Sequence, residues 1–218
     1  IGRVASEEGI ADLLTMTTDL GTYGGVPCSG SDFGCAYNTE AIIEHDAQFD
    51  FYDGGGLDAT FLGLAQTDPE GNLNVSKFGT KVVGPGGFVN ISQNSKKVVF
   101  CGTLTNGAEM SFDNGKVTVL KEGKTKKFVT KVDQITFSGK YAQQTNKPVL
   151  YVTERGVFTL EEGMLTLVEI APGVDLEKDI VAAMEFRPRI SANLKEMPAE
   201  IFQEQWGQLR SLMLAKKK

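Results

Sequence analysis

The stretch FDFYDGGGLDATFLGLA, residues 49–65, carries the pattern that decides the fold. Two short apolar runs, Phe49–Tyr52 and Thr60–Ala65, stand on either side of a turn that contains Asp53 and three glycines. Short apolar runs bounded by glycine are typical of buried strands. The stretch therefore predicts two strands of one sheet, joined by a glycine-rich connection.

The same pattern continues on both sides of this stretch. Further strand candidates are Leu13–Thr17, Phe88–Ser92 and Lys97–Thr103, and residues 39–45 have the spacing of a short helix. Short strands that alternate with glycine-rich turns and short helices predict an α/β fold, with an open, mixed or mostly parallel sheet flanked by helices. In such sheets ligands bind in the loops beyond the carboxyl ends of the strands.

The pattern changes after residue 110. Alternating segments meet at Asn114-Gly115 and again at Glu162-Gly163, which predicts two hairpins. We expect an antiparallel, hairpin-rich insertion over residues 110–170. Terminal helices are expected over 175–214, within one domain that covers residues 1–218.

Two residues mark the beginnings of the expected terminal helices. Asp175 is the predicted N-cap of the first, and Pro198 stands in the first turn of the last. The last helix would present one apolar stripe, made of Phe202, Trp206, Leu209 and Met213.

Composition restricts the classes of partner and cofactor. The formal net charge of −6 argues against nucleic acid, and the sequence has no apolar run long enough to span a bilayer. The three cysteines lack metal-ligand spacing, so we expect no metal, and their odd number fits a cytoplasmic protein. Because the chain begins with Ile1, we expect a fragment, a subunit or a processed product.

The segment TMTTDLGTYGGVP, residues 15–27, contains the most reactive candidate group. It places one carboxylate, Asp19, before Gly21, Gly24 and Gly25. A surface turn is the ordinary explanation. The alternative is a carboxylate nucleophile that attacks an activated acyl group, with glycine N–H groups stabilising the oxyanion.

Other catalytic and nucleotide-binding patterns are missing from the sequence. The single histidine, His45, is expected in a polar turn, and no G-x-S-x-G motif supplies a serine nucleophile. The loop Gly84–Gly87 does not have the G-x-G-x-x-G pattern, and there is no P-loop.

The sequence resembles a known family along nearly its whole length. The runs QFDFYDGGGLDATFLGLAQTD (48–68) and GGFVNISQNSKKVVFCGTLT (86–105), with TTDLGTYGGVP before them, are similar to the carboxyl-terminal, nucleophile-bearing half of family I CoA-transferases. The branch that acts on propionate and short-chain acyl-CoA is the most similar one. The resemblance implies that family's β-half fold and a cytoplasmic, oligomeric enzyme.

The resemblance also implies a reaction. Coenzyme A would be transferred between short-chain acids of the acetate and propionate type by ping-pong catalysis, through a carboxylate–CoA thioester. Asp19 stands where the family has its nucleophilic glutamate. The partners implied are acyl-CoA, a carboxylic acid, and an amino-terminal half or partner subunit of similar fold.

The binding residues follow from the same resemblance. Gly84, Gly86 and Gly87 are similar to the family's oxyanion and thioester loop. CoA binding is expected at Gly54, Gly55, Gly56 and Lys96. The segment Val26–Gly34 is mostly small residues, so we expect Gly24, Gly25, Cys28 and Ser29 to line a pocket for acyl chains of about two to four carbons.

The chain departs from the family at the nucleophile itself. Aspartate is one methylene shorter than glutamate, and a misplacement of about 1 Å can cost about 10²-fold in rate. The alternatives are therefore an acyl-CoA hydrolase with Asp19 as general base and a non-catalytic CoA-binding subunit. Glu7 and Glu8, in the run SEEG, are rejected as the nucleophile because that run precedes the expected strand.

Overall fold

A computed structural model describes residues 1–216, which divide into two compact units. The first unit contains residues 1–56 and 204–216, and the second is Leu57–Gln203. Lys217 and Lys218 of the expected domain lie outside the described residues. The extent of one domain over residues 1–218 stays a prediction.

The helices and strands are short. The α-helices are α1 (Gly2–Glu7), α2 (His45–Asp53), α3 (Phe88–Asn94), α4 (Gly139–Gln144) and α5 (Leu209–Lys216). The strands are β1 (Thr22–Tyr23), β2 (Val26–Pro27), β3 (Ala36–Tyr37), β4 (Ala41–Ile42), β5 (Thr60–Gly63), β6 (Gln66–Thr67), β7 (Leu73–Asn74), β8 (Lys77–Phe78), β9 (Lys81–Val82), β10 (Val98–Cys101), β11 (Thr105–Asn106), β12 (Glu109–Asp113), β13 (Lys116–Lys121), β14 (Thr125–Lys126), β15 (Val149–Val152), β16 (Gly156–Glu161), β17 (Met164–Ile170) and β18 (Arg189–Glu196). The 3-10 turns lie at Ala11–Leu13, Gly30–Asp32, Val181–Ala183 and Ala199–Phe202, and a π-helical turn lies at Leu176–Ile180.

The second unit is built on a six-stranded sheet with the order β18-β17-β16-β15-β10-β5. Strands β5, β10 and β15 pair in parallel, and β18 is parallel to β17. Within this sheet β16 runs against its two neighbours, β15 and β17. The expected α/β class with a mostly parallel sheet is therefore confirmed.

An aromatic cluster fixes α3 to this sheet. The ring of Phe100, which is fully buried on β10, lies 5.7 Å from that of Phe88, 4.9 Å from that of Phe137 and 5.3 Å from that of Tyr151. Aromatic contacts of this kind add to the free energy of simple burial. Because Phe88 is the first residue of α3, the cluster also fixes the end of the Gly84–Gly87 loop.

Two of the predicted strands are helices. Phe49–Tyr52 lies within α2, whose buried side chains Gln48 and Tyr52 are four residues apart. Phe88–Ser92 lies within α3, which buries Phe88, Ile91 and Ser92. In each helix the buried positions follow the helical period, so the apolar residues reach the core only if the segment coils.

The short helix expected over residues 39–45 is also wrong. Ala41 and Ile42 instead form β4, which pairs antiparallel with β1. The Ile43 N–H donates to the Gly21 carbonyl at 2.9 Å, which extends this pairing. The cross-strand bonds satisfy backbone groups that an isolated helical turn would leave unpaired.

Both predicted hairpins are confirmed, as β12–β13 and β16–β17. The second is part of the main sheet, however, and not an insertion upon it, because β15 and β18 pair with its two edges.

The expectation of terminal helices over residues 175–214 is only partly right. Asp175 does cap the turn that follows it, and accepts a bond from the Lys178 N–H at 2.8 Å. Strand β18 then occupies Arg189–Glu196, where it completes the sheet edge beside β17. The last helix is not continuous, because a 3-10 turn ends at Phe202 and α5 begins at Leu209 after Gly207, whose φ is +69°.

Candidate functional site

Asp19 lies half-buried in a tight turn of the first unit. The Gly21 N–H donates to the Thr18 carbonyl at 3.1 Å and closes the turn around Asp19. Gly21 has φ +100°, and a Cβ there would lie 2.2 Å from the carbonyl oxygen of Ile43. The turn therefore requires glycine for reasons of backbone conformation and space.

The strand expected before Asp19, Leu13–Thr17, is wrong. Residues Ala11–Leu13 form a 3-10 turn, and Thr17 makes only an isolated bridge to Tyr23. The Thr18 N–H donates to the Thr22 carbonyl at 3.2 Å and the Gly24 N–H to the Met16 carbonyl at 2.8 Å, so the pairing covers only the residues next to the turn. Asp19 is consequently presented by a small hairpin turn.

Two side chains of α2 hold the residues that precede Asp19. The fully buried Gln48 donates from Nε2 to the Thr18 carbonyl at 3.0 Å, and the Tyr52 hydroxyl is 2.7 Å from Oγ1 of Thr17. Burial raises the pKa of the Tyr52 phenol, hydrogen bonds with Thr17 and Gln48 oppose this increase, and the Asp19 carboxylate raises it further. The phenol therefore stays protonated at neutral pH and remains able to donate a hydrogen bond.

The sequence interpretation missed Gln48 and Tyr52. It assigned Phe49–Tyr52 to a strand, in which residues 48 and 52 carry no special relation to Asp19. A helical assignment, with Gln48 and Tyr52 four residues apart on one face, would have identified them as a pair.

Backbone conformation and close neighbours explain why positions 24 and 25 are glycine. Gly24 has φ +71°, and a Cβ there would lie 2.7 Å from the Glu40 side chain. Gly25 has φ +70°, and a Cβ there would lie 2.0 Å from the Tyr37 carbonyl. These glycines allow close approach of the β2–β3 segment, and their role in an acyl pocket stays a prediction.

Cys28 and Ser29 follow β2 directly. The Cys28 N–H donates to the Cys35 carbonyl at 2.9 Å, so this residue continues the β2–β3 hairpin. Ser29 is exposed and precedes the 3-10 turn Gly30–Asp32. Both belong to the same unit as Asp19, and their contact with an acyl group stays a prediction.

The triplet Gly54–Gly56 ends α2. The Gly54, Gly55 and Gly56 N–H groups donate to the carbonyls of Asp50, Tyr52 and Phe51, respectively. The sequence predicted that the triplet follows the carboxyl end of a strand. In the structure it follows a helix instead. Since these N–H groups are engaged, any contact of the triplet with CoA would use other atoms, and that contact stays a prediction.

The loop Gly84–Gly87 belongs to the second unit. Its Gly84 N–H donates to the Ser76 carbonyl at 3.0 Å. Gly84 and Gly86 have φ of +81° and +53°, and a Cβ at either position would meet no atom within 4 Å. The backbone of this loop is therefore open on one side, unlike that of Gly21, Gly24 and Gly25.

Lys96 lies on the surface of the second unit. Its Nζ is 2.7 Å from Oδ1 of Asp58, and the two side chains are 68% and 88% exposed. An exposed ion pair of this kind is weak, so the ammonium group is available to a phosphate. A role of Lys96 in CoA binding stays a prediction.

The rejected acids, Glu7 and Glu8, have other partners. Glu7 pairs with Arg3 at 2.7 Å. The Glu8 carboxylate accepts from the backbone N–H groups of Gly207 and Leu209 at 2.9 and 3.2 Å, at the beginning of α5. Helix beginnings favour such acceptors, so Glu8 has a structural role that Asp19 lacks.

The described residues also bear on metal binding, on membrane-spanning helices and on the single histidine. Residues 1–216 contain no group of three or more histidine, cysteine or acidic side chains placed to hold a metal ion. Over the same range, no helix is long and apolar enough to cross a membrane. His45 is exposed at the beginning of α2, and its ring lies 4.9 Å from that of Phe49.

The known proteins that are similar to this chain include CoA-transferases. A caffeate CoA-transferase of Acetobacterium woodii is 50% identical over 218 residues, which cover 98% of this chain and 42% of that protein. The acetate CoA-transferase YdiF of Escherichia coli K12 is 50% identical over 203 residues, covering 93% of this chain and 38% of YdiF. Homologous sequences this similar share a fold and the arrangement of their elements.

The chain is homologous to part of the family I CoA-transferases.

A solved structure of a CoA-transferase supports this homology. YdiF of Escherichia coli O157:H7, in a thioester complex with CoA, superposes with a TM-score of 0.87 at 47% identity, over 94% of this chain and 39% of that one. The chain spans about two fifths of the length of the CoA-transferases that it matches. No family model matches the chain.

Proposed function

We propose that this chain is the carboxyl-terminal, nucleophile-bearing half of a family I CoA-transferase that moves coenzyme A between short-chain carboxylic acids. The observation that carries the proposal is the Asp19 turn. Its carboxylate is half-buried, and Gln48 and Tyr52 hydrogen-bond to the two residues that precede it. The 50% identity to an acetate CoA-transferase and a caffeate CoA-transferase supports it.

The first half-reaction forms a covalent thioester. The Asp19 carboxylate attacks the acyl carbonyl of acyl-CoA, and the CoA thiolate leaves, which gives a mixed anhydride. The thiolate then attacks the aspartyl carbonyl and expels the first carboxylate. The product is an aspartyl–CoA thioester at Asp19.

The second half-reaction reverses these steps with another acid. Its carboxylate attacks the aspartyl thioester, and the thiolate then attacks the acyl carbonyl of the new anhydride and releases Asp19. Each attack places negative charge on an oxygen, which N–H donors must stabilise. The family resemblance assigns this role to the loop Gly84–Gly87, in which the Gly84 N–H itself donates to the Ser76 carbonyl.

Two further parts of the proposal concern partners. An amino-terminal half or partner subunit of similar fold would complete the site, and CoA would enter as a substrate with its phosphates near Lys96. The complete enzyme would be a homo-oligomer in the cytoplasm.

The experiment uses the complete protein that contains this chain, incubated with acetyl-CoA with and without propionate. Formation of propionyl-CoA only when propionate is present supports transfer, and is expected to be lost in Asp19→Asn. Asp19→Glu should be faster than the parent, by up to about 10²-fold, because it restores the missing methylene. Glu7→Gln and Glu8→Gln are matched controls and should retain transfer.

Two results would contradict the proposal. Release of free CoA at the same rate with and without propionate would indicate a hydrolase with Asp19 as general base. Transfer that is unchanged in Asp19→Asn would remove Asp19 from the reaction.

A further inference from the structure

Two cysteines lie directly opposite each other beside the Asp19 turn. In the β2–β3 hairpin Val26 pairs with Tyr37 and Pro27 with Ala36, so the next opposed pair is Cys28 and Cys35. The Cys28 N–H donates to the Cys35 carbonyl at 2.9 Å, which confirms this register. Both thiols are free, with Cys28 half-buried and Cys35 exposed.

This placement suits a disulfide. Directly opposed residues of an antiparallel pair have Cα atoms about 4.5–5.5 Å apart and side chains on the same face. Disulfides span Cα separations of about 4.4–6.8 Å. Gly34, which immediately precedes Cys35, has a left-handed backbone conformation with φ +101°.

We infer that Cys28 and Cys35 form a reversible disulfide when the protein meets a hydroperoxide, and that this bond restrains the loop between them next to Asp19. In a reducing compartment the pair remains a dithiol, and disulfides there are transient and redox-sensing. The inference does not depend on the proposed catalytic activity.

The reaction balances with hydrogen peroxide as the oxidant. The exposed Cys35 thiolate attacks one peroxide oxygen, the O–O bond breaks, and a sulfenic acid forms with release of hydroxide, which is protonated to water. The Cys28 thiol attacks the sulfenic sulfur, loses its proton and expels a second water. Two thiols are oxidised to one disulfide, and one peroxide is reduced to two waters.

The loop is coupled to both neighbours of Asp19. The Thr18 hydroxyl donates to the Gly34 carbonyl at 2.9 Å. The Leu20 side chain packs against Gly34, where a Cβ would lie 2.1 Å from Leu20 Cδ1. A restraint at Cys35 is therefore transmitted to Thr18 and Leu20, the residues on either side of Asp19.

The test maps the bond on the oxidised protein. Trypsin leaves both cysteines on one peptide, because no lysine or arginine lies between Arg3 and Lys77. Chymotrypsin cleaves after Phe33 and separates Cys28 from Cys35, so the two peptides stay joined only through a disulfide. After stoichiometric peroxide and alkylation we expect the joined peptides, and their separation on addition of dithiothreitol.

Three variants make the assignment specific. Cys28→Ser and Cys35→Ser should each lose the joined peptides, and in Cys28→Ser the Cys35 thiol should be oxidised further or trapped as sulfenic acid. Cys101→Ser is the matched control and should behave as the parent. Cys101 lies on β10, where burial raises the pKa of its thiol and so lowers its reactivity.

A second measurement addresses the restraint. Amide hydrogen exchange of residues 29–34 should slow in the oxidised parent, return to the original rate on reduction, and not change in Cys35→Ser. Absence of the Cys28–Cys35 link after peroxide, or a link from either residue to Cys101, would overturn the inference. A link without any change in exchange across residues 18–34 would overturn the restraint.

Discussion

Replacing Glu122 by alanine tests the ion-pair network that joins the β15–β16 turn to the residue after β13 and to the turn Leu176–Ile180. The Arg155 side chain is fully buried at the turn between β15 and β16. Its guanidinium donates to both carboxylate oxygens of Glu122 at 2.6 and 2.9 Å, to Glu154 at 3.1 Å and to the Asp179 carbonyl at 2.7 Å.

The expected loss of stability in Glu122→Ala depends on the buried Arg155 charge that the substitution leaves without one of its partners. Removing one partner of a buried ion pair costs about 3–5 kcal/mol, because the other charge stays buried and uncompensated. Glu154 still faces Arg155 in Glu122→Ala, and the Glu122 side chain is itself 42% exposed. We therefore expect a loss at the lower end, about 3 kcal/mol in the free energy of unfolding.

The assay is urea denaturation of the variant beside a matched control. Glu109→Ala removes the same kind of acid from an exposed ion pair with Lys121, where the side chains are 62% and 63% exposed. It should cost less than about 1 kcal/mol. Equal effects of Glu122→Ala and Glu109→Ala would refute the argument that burial of Arg155 sets the cost.

Three further predictions concern pH, the Asp19 turn and the acyl pocket. Burial raises the pKa of Glu122, but bonds from Arg155, Thr105 and the Gly123 N–H and the Arg155 charge outweigh it and lower the pKa to about 2. Its stabilising effect should thus be complete above about pH 4.5 and decline as pH falls towards 2. The denaturation midpoints of Glu122→Gln should therefore fall less over this range than those of the parent. Tyr52→Phe removes the 2.7 Å bond to Thr17 and should cost about 1 kcal/mol in unfolding free energy. It should also lower kcat for CoA transfer and leave KM unchanged. A wild-type kcat would contradict a positioning role for Tyr52. Ser29→Trp should shift the preference of transfer towards shorter acids, and an unchanged ranking of acetate, propionate and butyrate would exclude Ser29 from the acyl pocket.

The parts of the fold that the sequence predicted are those with strong local patterns. Strand β10 is a continuous apolar run, and the β12–β13 hairpin combines alternation with Asn114-Gly115, a turn that only a few residue types favour. The segments 49–52 and 88–92 failed because apolar runs of four or five residues fit either a strand or a helix. The helical period of these segments becomes visible only from which of their residues are buried in the folded protein.

The candidate site divides in the same way. Asp19 and the loop at Gly86 were proposed from family resemblance and glycine content, and their catalytic roles stay predictions; a Cβ at Gly84 or Gly86 would meet no atom within 4 Å. Gln48 and Tyr52 were missed because their contacts with Thr17 and Thr18 join segments about 30 residues apart in sequence. Contacts at this separation depend on tertiary packing, which no local pattern encodes.

The central claim is that Asp19 is a covalent nucleophile, and trapping its CoA thioester tests this most directly. The complete protein is mixed with acyl-CoA without an acceptor acid, and borohydride then reduces the thioester and marks the acid that carried it. Cyanogen bromide cleaves after Met16 and separates Asp19 from Glu7 and Glu8. We predict a hydroxylamine-sensitive adduct that borohydride converts to a stable mark at Asp19, and a faster-forming adduct in Asp19→Glu. A mark at Glu7 or Glu8, or no adduct in either the parent or Asp19→Glu, would contradict the account.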